Sequence, residues 1–357
     1  PTANNKRIKR IMAYTTINKS TDYFNTVLYT GTGSTQNITG VGFQPDWVWN
    51  KARNASEDHS TIDAVRGVTK SIYPSDTAAE QTLSTGLTAF GSDGYTVGGD
   101  GYWGYNGRTY ASWNWKANGQ GSANTNGSIN STVSASTTSG FSVVKWTASG
   151  GNATIGHGLG AVPKMIIVKS LANTTNWMVY HSAIGNNSEI YLNGTSAAAG
   201  SSTAWQDTDP TSSVFYVAGG AGDGVNASGD YIAYCFADVQ GFSKIGSYTG
   251  IGNADGSFIY LGFKPAWVMI KCSSAANDEW FIWDSKRLGY NGGNNNFFAD
   301  TSDVESTAAA NGFDILSNGF KLRTTDTALN GSGRTYIYMA FAEAPLVGSN
   351  NVPATAR

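Results

Sequence analysis

Three stretches of this chain repeat one another, and no other feature restricts the fold as much, because each repeat must be one supersecondary unit packed on its neighbours. The clearest shared element is a leading strand. Val41–Lys51 reads VGFQPDWVWNK, Gly158–Lys169 reads GLGAVPKMIIVK and Leu261–Lys271 reads LGFKPAWVMIK. Each has Pro, then an apolar run, then a Lys six places after the Pro: Lys51, Lys169 and Lys271. Pro can start a strand but not occupy its middle. A run without polar alternation predicts a strand buried on both faces. A closing strand also recurs, at Tyr110–Trp115, Tyr231–Phe236 and Tyr336–Phe341. Period two puts Ala111, Trp113 and Trp115 on one face, matched by Ile232, Tyr234 and Phe236 and by Ile337, Met339 and Phe341; that face is expected to be core in every copy.

Turn signals separate these strands. Tyr29-Thr30-Gly31 and Tyr248-Thr249-Gly250 precede two leading strands, and Trp146-Thr147-Ala148 is the weaker equivalent. Asp93-Gly94-Tyr95 and Asn318-Gly319-Phe320 start further strands, and Asn106-Gly107 and Asn330-Gly331 mark expected hairpin turns. The expected fold is therefore all-β: three tandem antiparallel β-sandwich repeats of jelly-roll or lectin-like type. The expected units are an N-terminal arm 1–19, repeats 20–118, 139–240 and 241–345, a flexible Gly/Ser/Thr/Asn-rich linker 119–138 and a tail 346–357. The last two repeats, joined without a linker, are expected to pack rigidly. One short helix is expected near Asp76–Thr82. Composition agrees with tight turns and short strands: 44 Gly and only 13% charged residues in 357, against a usual charged share of about 25%.

With a net charge of −2 there is no basic field to hold a phosphate backbone, so no nucleic-acid partner is expected. No apolar run reaches 18 residues, so no membrane insertion is expected. No apolar signal segment is seen at the N-terminus, and Cys235 and Cys272 are too few for a disulfide framework, so synthesis in a reducing cytoplasm is expected. Lys6–Arg10 is a basic run, read as a solvated arm, with Met12 resembling a start.

Catalysis is not expected. His59, His157 and His181 lack a nucleophile setting and read as surface residues. Asp63 and Asp284 occupy matching positions, each beside an Arg; a structural ion pair is the expected role and a glycan-cutting pair the alternative. Gly99–Gly104 matches G-x-G-x-x-G by letters but is not followed by a helix pattern. Asp207-Thr208-Asp209 supplies too few oxygens for Ca²⁺, and no zinc pattern exists. No cofactor or metal is expected. The expected ligand-binding residues are Tyr102, Trp103, Tyr105 and Arg108, in a Gly-rich aromatic turn, with Trp205 as a second site; Trp103 is the expected anchor.

The strings Tyr29–Gly31, Gly42–Val48, Gly94–Val97, Asn106–Trp113 and Val352–Arg357 resemble a repeat abundant in marine bacteriophage genomes, whose members are uncharacterised virion or tail-associated proteins. The resemblance covers residues 13–357. It implies a virion location after assembly in the host cytoplasm and other virion proteins as partners; a homo-oligomer is also expected. The expected function is a tail-fibre or receptor-binding component contacting host surface polysaccharide. Alternatives are a capsid decoration or head-fibre protein, and a tailspike glycan hydrolase. The resembled family has Asp-Ser-x-Arg-Gly after the leading strand. Here Asp63-Ala64-Val65-Arg66-Gly67 and Asp284-Ser285-Lys286-Arg287 follow it, whereas the second copy has His181-Ser182.

Overall fold

The computed structural model describes residues 15–200, 203–220, 224–287, 291, 294–307 and 312–347. It is all-β, with multiple antiparallel sheets. A four-stranded sheet runs in the order Phe24–Thr30, Thr109–Trp115, Trp47–Ala52, Ser60–Asp63. The same order, closing strand beside leading strand, forms the centre of an eight-stranded sheet (Phe141–Thr147, Asp230–Phe236, Met165–Ser170, Met178–His181) and the start of a five-stranded one (Ser243–Thr249, Thr335–Pro345, Phe263–Cys272, Trp280–Asp284). The register is equally regular. Lys51 pairs with Ala111, Lys169 with Ile232 and Lys271 with Ile337, the matching positions of each copy. Pro265 lies inside its strand, but at a register shift, where a missing N–H is tolerated.

Each large sheet has a smaller companion: Gln36–Thr39 with Gly94–Val97 and Leu87–Gly91; Ala153–Gly156 with Val214–Val217; Phe258–Tyr260 with Gly319–Leu322 and Phe313–Leu316. Between each pair lies a separate buried cluster, for example Val48 and Ile62 with Ile38, Leu87 and Val97. The companion clusters contain Val168 and Cys235 with Ile155 and Phe215, and Ile270 and Ala340 with Phe313 and Phe320. The opposite faces of all three large sheets meet in one central cluster holding all nine of the closing-strand residues expected to be core. Rings join across the copies there: Trp47 stacks on Tyr234 at 4.2 Å, Trp115 meets Trp267 edge-on at 5.7 Å and Phe236 meets Phe341 at 5.9 Å. Burial of each such side chain contributes about 1.5–3 kcal/mol. Two buried faces explain the unbroken apolar runs of the leading strands.

Several expectations are corrected. Ser122–Asn124 and Ser131–Ser136, within the expected linker, are strands that extend the eight-stranded sheet. Their Ser and Thr side chains look like linker residues, but the backbone of Ser131–Ser136 pairs with Phe141–Thr147 on one side and with Ser122–Asn124 on the other. No helix forms at Asp76–Thr82; Gln81–Thr82 pairs with Lys70–Ser71 instead. The one α-helix among the described residues is Thr327–Asn330, capped by Asp326. Asn106-Gly107 does turn, with Gly107 at φ +75°, but it joins the small sheet to the large one rather than closing a hairpin. Of the expected arm, Ile17 is buried in the central cluster; Lys6–Arg10 lies outside the described residues.

Candidate functional site

The aromatic turn of the first copy is positioned by glycines. A Cβ on Gly104 would lie 2.1 Å from the Gly98 carbonyl oxygen, and one on Gly31 2.4 Å from that of Tyr105, so these backbones touch. The close approach sinks Trp103 completely. Its indole Nε1 donates to Ser60 Oγ at 3.0 Å, and its ring lies edge-on to Tyr95. The expected anchor is therefore core. Tyr102 is half-buried against Tyr73, and its carbonyl accepts from Asn50 Nδ2. Trp205 is also buried, edge-on to Tyr180 at 5.7 Å, which corrects its reading as a surface site. What the turn presents to solvent is Tyr105, 52% exposed, with the Arg108 guanidinium over its ring at 4.5 Å. Glu57 pairs with the Arg108 guanidinium.

The recurrent motifs explain themselves as framework. Tyr29, Trp146 and Tyr248 each stack on the first ring of the closing strand, on Tyr110, Tyr231 and Tyr336, at 5.0, 5.4 and 4.9 Å. Those three phenols donate back to the carbonyls of Gly101, Gly224 and Thr327, fixing the turn before the strand. Lys51, Lys169 and Lys271 are buried, and their Nζ groups donate to backbone carbonyls at the strand end or in the following loop, such as Ala52, Asn173 and Asp278. Burial lowers the Lys51 amine to about 8.

The matching acids form contacts between copies that sequence reasoning did not foresee. Asp63 Oδ2 accepts from Arg66 Nε at 2.5 Å and from the Tyr234 hydroxyl of the second copy at 2.9 Å. Asp284 Oδ2 accepts from Arg287 Nε at 2.6 Å and from Trp113 Nε1 of the first copy at 3.0 Å. Tyr234 and Trp113 hold the same closing-strand position, which in the third copy is Met339, a side chain with no proton to give. His181 faces that copy, and Ile184 replaces the Arg. Its Nδ1 accepts from Ala183 N as Asp63 Oδ1 accepts from Val65 N, so the turn cap survives without the charge. Its Nε2–H points at the Tyr338 carbonyl, 3.4 Å away.

A second set of cross-copy bonds runs in the same sense. Trp177 Nε1 donates to the Tyr73 carbonyl, Trp280 Nε1 to that of Tyr191, and His59 Nε2 to that of Phe298. All three histidines are thus buried, correcting their surface reading. Burial holds His59 well below the ordinary imidazole range and His181 at about 4. Among the described residues no cluster of three or more metal-ligating side chains occurs, and no helix is long and apolar enough to cross a membrane.

The chain belongs to the family of the domain of unknown function DUF7483, matched over residues 19–345. No curated protein and no solved structure matches it. The matched span covers all three sequence copies, so the family's unit is the whole set.

Proposed function

We propose that the chain is three copies of one two-layer β-sandwich fused into a closed pseudo-three-fold body, serving as a bacteriophage virion protein in a tail fibre or receptor-binding assembly. The observation that carries the reading is the ring of equivalent cross-copy bonds, first copy to third, second to first, third to second. A head-to-tail contact repeated three times closes a ring. Such a body is rigid and suits a load-bearing part that holds loops outward. The resemblance to phage tail-associated repeats supplies the setting, and the exposed Tyr105–Arg108 pair supplies a contact for host surface glycans. Asp63 and Asp284 are enclosed by Arg and ring donors, which favours a structural role over glycan cleavage. The pseudo-three-fold axis also favours a second reading, a capsid decoration or head-fibre protein seated on a three-fold site. Antibody-labelled imaging of particles separates the two. Label at the tail tip supports the first reading, label over the head supports the second, and unlabelled particles overturn both.

A further inference from the structure

The outer face of the sheet Phe258–Tyr260, Gly319–Leu322, Phe313–Leu316 differs from its counterpart in the first copy. The backbones match closely. Ile259 pairs with Phe320 as Ile38 pairs with Tyr95, and Gly319 and Gly94 each lie where a Cβ would meet the Ile259 or Ile38 carbonyl oxygen at 2.0 Å. Yet the outward residues flanking the buried isoleucine are Asn37 and Thr39 in one copy and Phe258 and Tyr260 in the other. The fold therefore does not require rings there. Phe258 is 45% and Tyr260 48% exposed, on a strand that is an edge of its sheet.

We propose that this face is a binding platform for a neutral hexopyranose chain, with Phe258 and Tyr260 as its two stacking rings. The proposal rests on the glycan-contact reading and adds to the Tyr105–Arg108 turn a second place, with a ligand class. Alternate residues on a strand stand about 6.8 Å apart on one face, so successive sugars can each lay an apolar C–H face on a ring. Polar groups for the hydroxyls flank both. Lys321 is directly opposite Phe258 in the register. Lys244 lies over the Tyr260 ring at 5.6 Å, and Asp238 and Gln240 line a cleft with Tyr260. Charge argues for a neutral ligand. Lys321 is paired with Asp255, and Arg323 with both Asp255 and Asp314, so these cations are already neutralised. The two rings together expose roughly 200 Å², so they alone do not make up the ~800 Å² that each side of a stable protein interface contributes.

The test is calorimetric titration of the full chain with maltohexaose and with cellohexaose. The variant F258N/Y260T carries the first copy's own residues at these positions, so retention of its fold is expected. Binding of either sugar by the parent, weakened at least tenfold in the variant at unchanged Tm, is the expected result. Hydroxyl-radical footprinting of the unsubstituted protein gives a check free of folding effects, with the bound sugar protecting Phe258 and Tyr260. The proposal is overturned if neither sugar binds at millimolar concentration, if the variant binds equally, or if the rings stay unprotected. It is also overturned if the parent is a dimer that the variant dissociates, since the rings would then be covered by a second copy. None of these results bears on where the protein sits in a particle, which the imaging decides separately.

Discussion

Two of the three junctions between copies are locked by a buried ion pair with a ring donor, and the third is not. Where the first copy meets the second, Tyr234 donates to the Asp63–Arg66 pair; where it meets the third, Trp113 donates to Asp284–Arg287. Where the second meets the third, acid, Arg and donor are replaced together by His181, Ile184 and Met339. A buried carboxylate needs both its cation and its hydrogen bonds. Loss of one member therefore leaves a costly remnant, while loss of all three leaves apolar contact. The difference teaches that the lock behaves as one unit. His181 keeps only the turn cap, the part of the acid's work that needs no charge.

The largest expected effect comes from breaking one lock. D284A leaves Arg287 buried with Glu305 as its remaining counter-ion and Trp113 as an unpaired donor. It should cost about 3–5 kcal/mol in urea unfolding, toward the lower end because the charge stays partly compensated. A cost below about 1 kcal/mol would mean that the lock contributes nothing. W103A should fall in the same range, about 3–5 kcal/mol, as a core truncation.

Rebuilding the missing lock sharpens the comparison. H181D alone should be strongly destabilising, and H181D/I184R/M339W should recover stability through a favourable coupling of about 1–3 kcal/mol. Strict additivity of the three changes in a mutant cycle would contradict a cooperative unit. Removing only the donor, Y234F should cost about 1.5–3 kcal/mol, the range for a hydrogen bond to a charged group.

The unlocked junction should also respond to acid. Burial depresses the His181 imidazole to about 4, against about 6.5 when unfolded. The unfolded chain therefore binds the proton first as pH falls. The stability is complete above pH 6.5 and declines down to about 4. Asp300, raised to about 6 by burial, acts in the opposite sense but equally in parent and variant. The Tm difference between the parent and H181Q should thus shift in the variant's favour from pH 7 to pH 4. A pH-independent difference would show that the imidazole takes up its proton as readily in the folded chain as in the unfolded one.

The smallest effect on stability is expected at Tyr105. Y105A should change the unfolding free energy by no more than about 0.5 kcal/mol, as for an exposed site, while reducing competition for host-cell adsorption. Unchanged competition would remove this turn from the contact surface.

The sequence alone determined the local grammar of this protein. The threefold recurrence, the Pro-to-Lys spacing and the period-two faces of the closing strands are set by residues close in the chain, and the register of Lys51, Lys169 and Lys271 follows from them. Those patterns report that a face is buried, but not against what. Tertiary structure decided that the three faces bury against one another, that Asp63 and Asp284 take donors from a neighbouring copy, and that Ser131–Ser136 pairs as a strand despite its linker-like residues. It also decided the fate of the aromatic turn. Whether a ring among glycines points outward, as Tyr105 does, or inward, as Trp103 does, depends on what packs around it, and the hydrogen bond of Trp103 to Ser60 joins residues far apart in the chain. Partners distant in sequence leave no local period, so their contacts are fixed by packing alone.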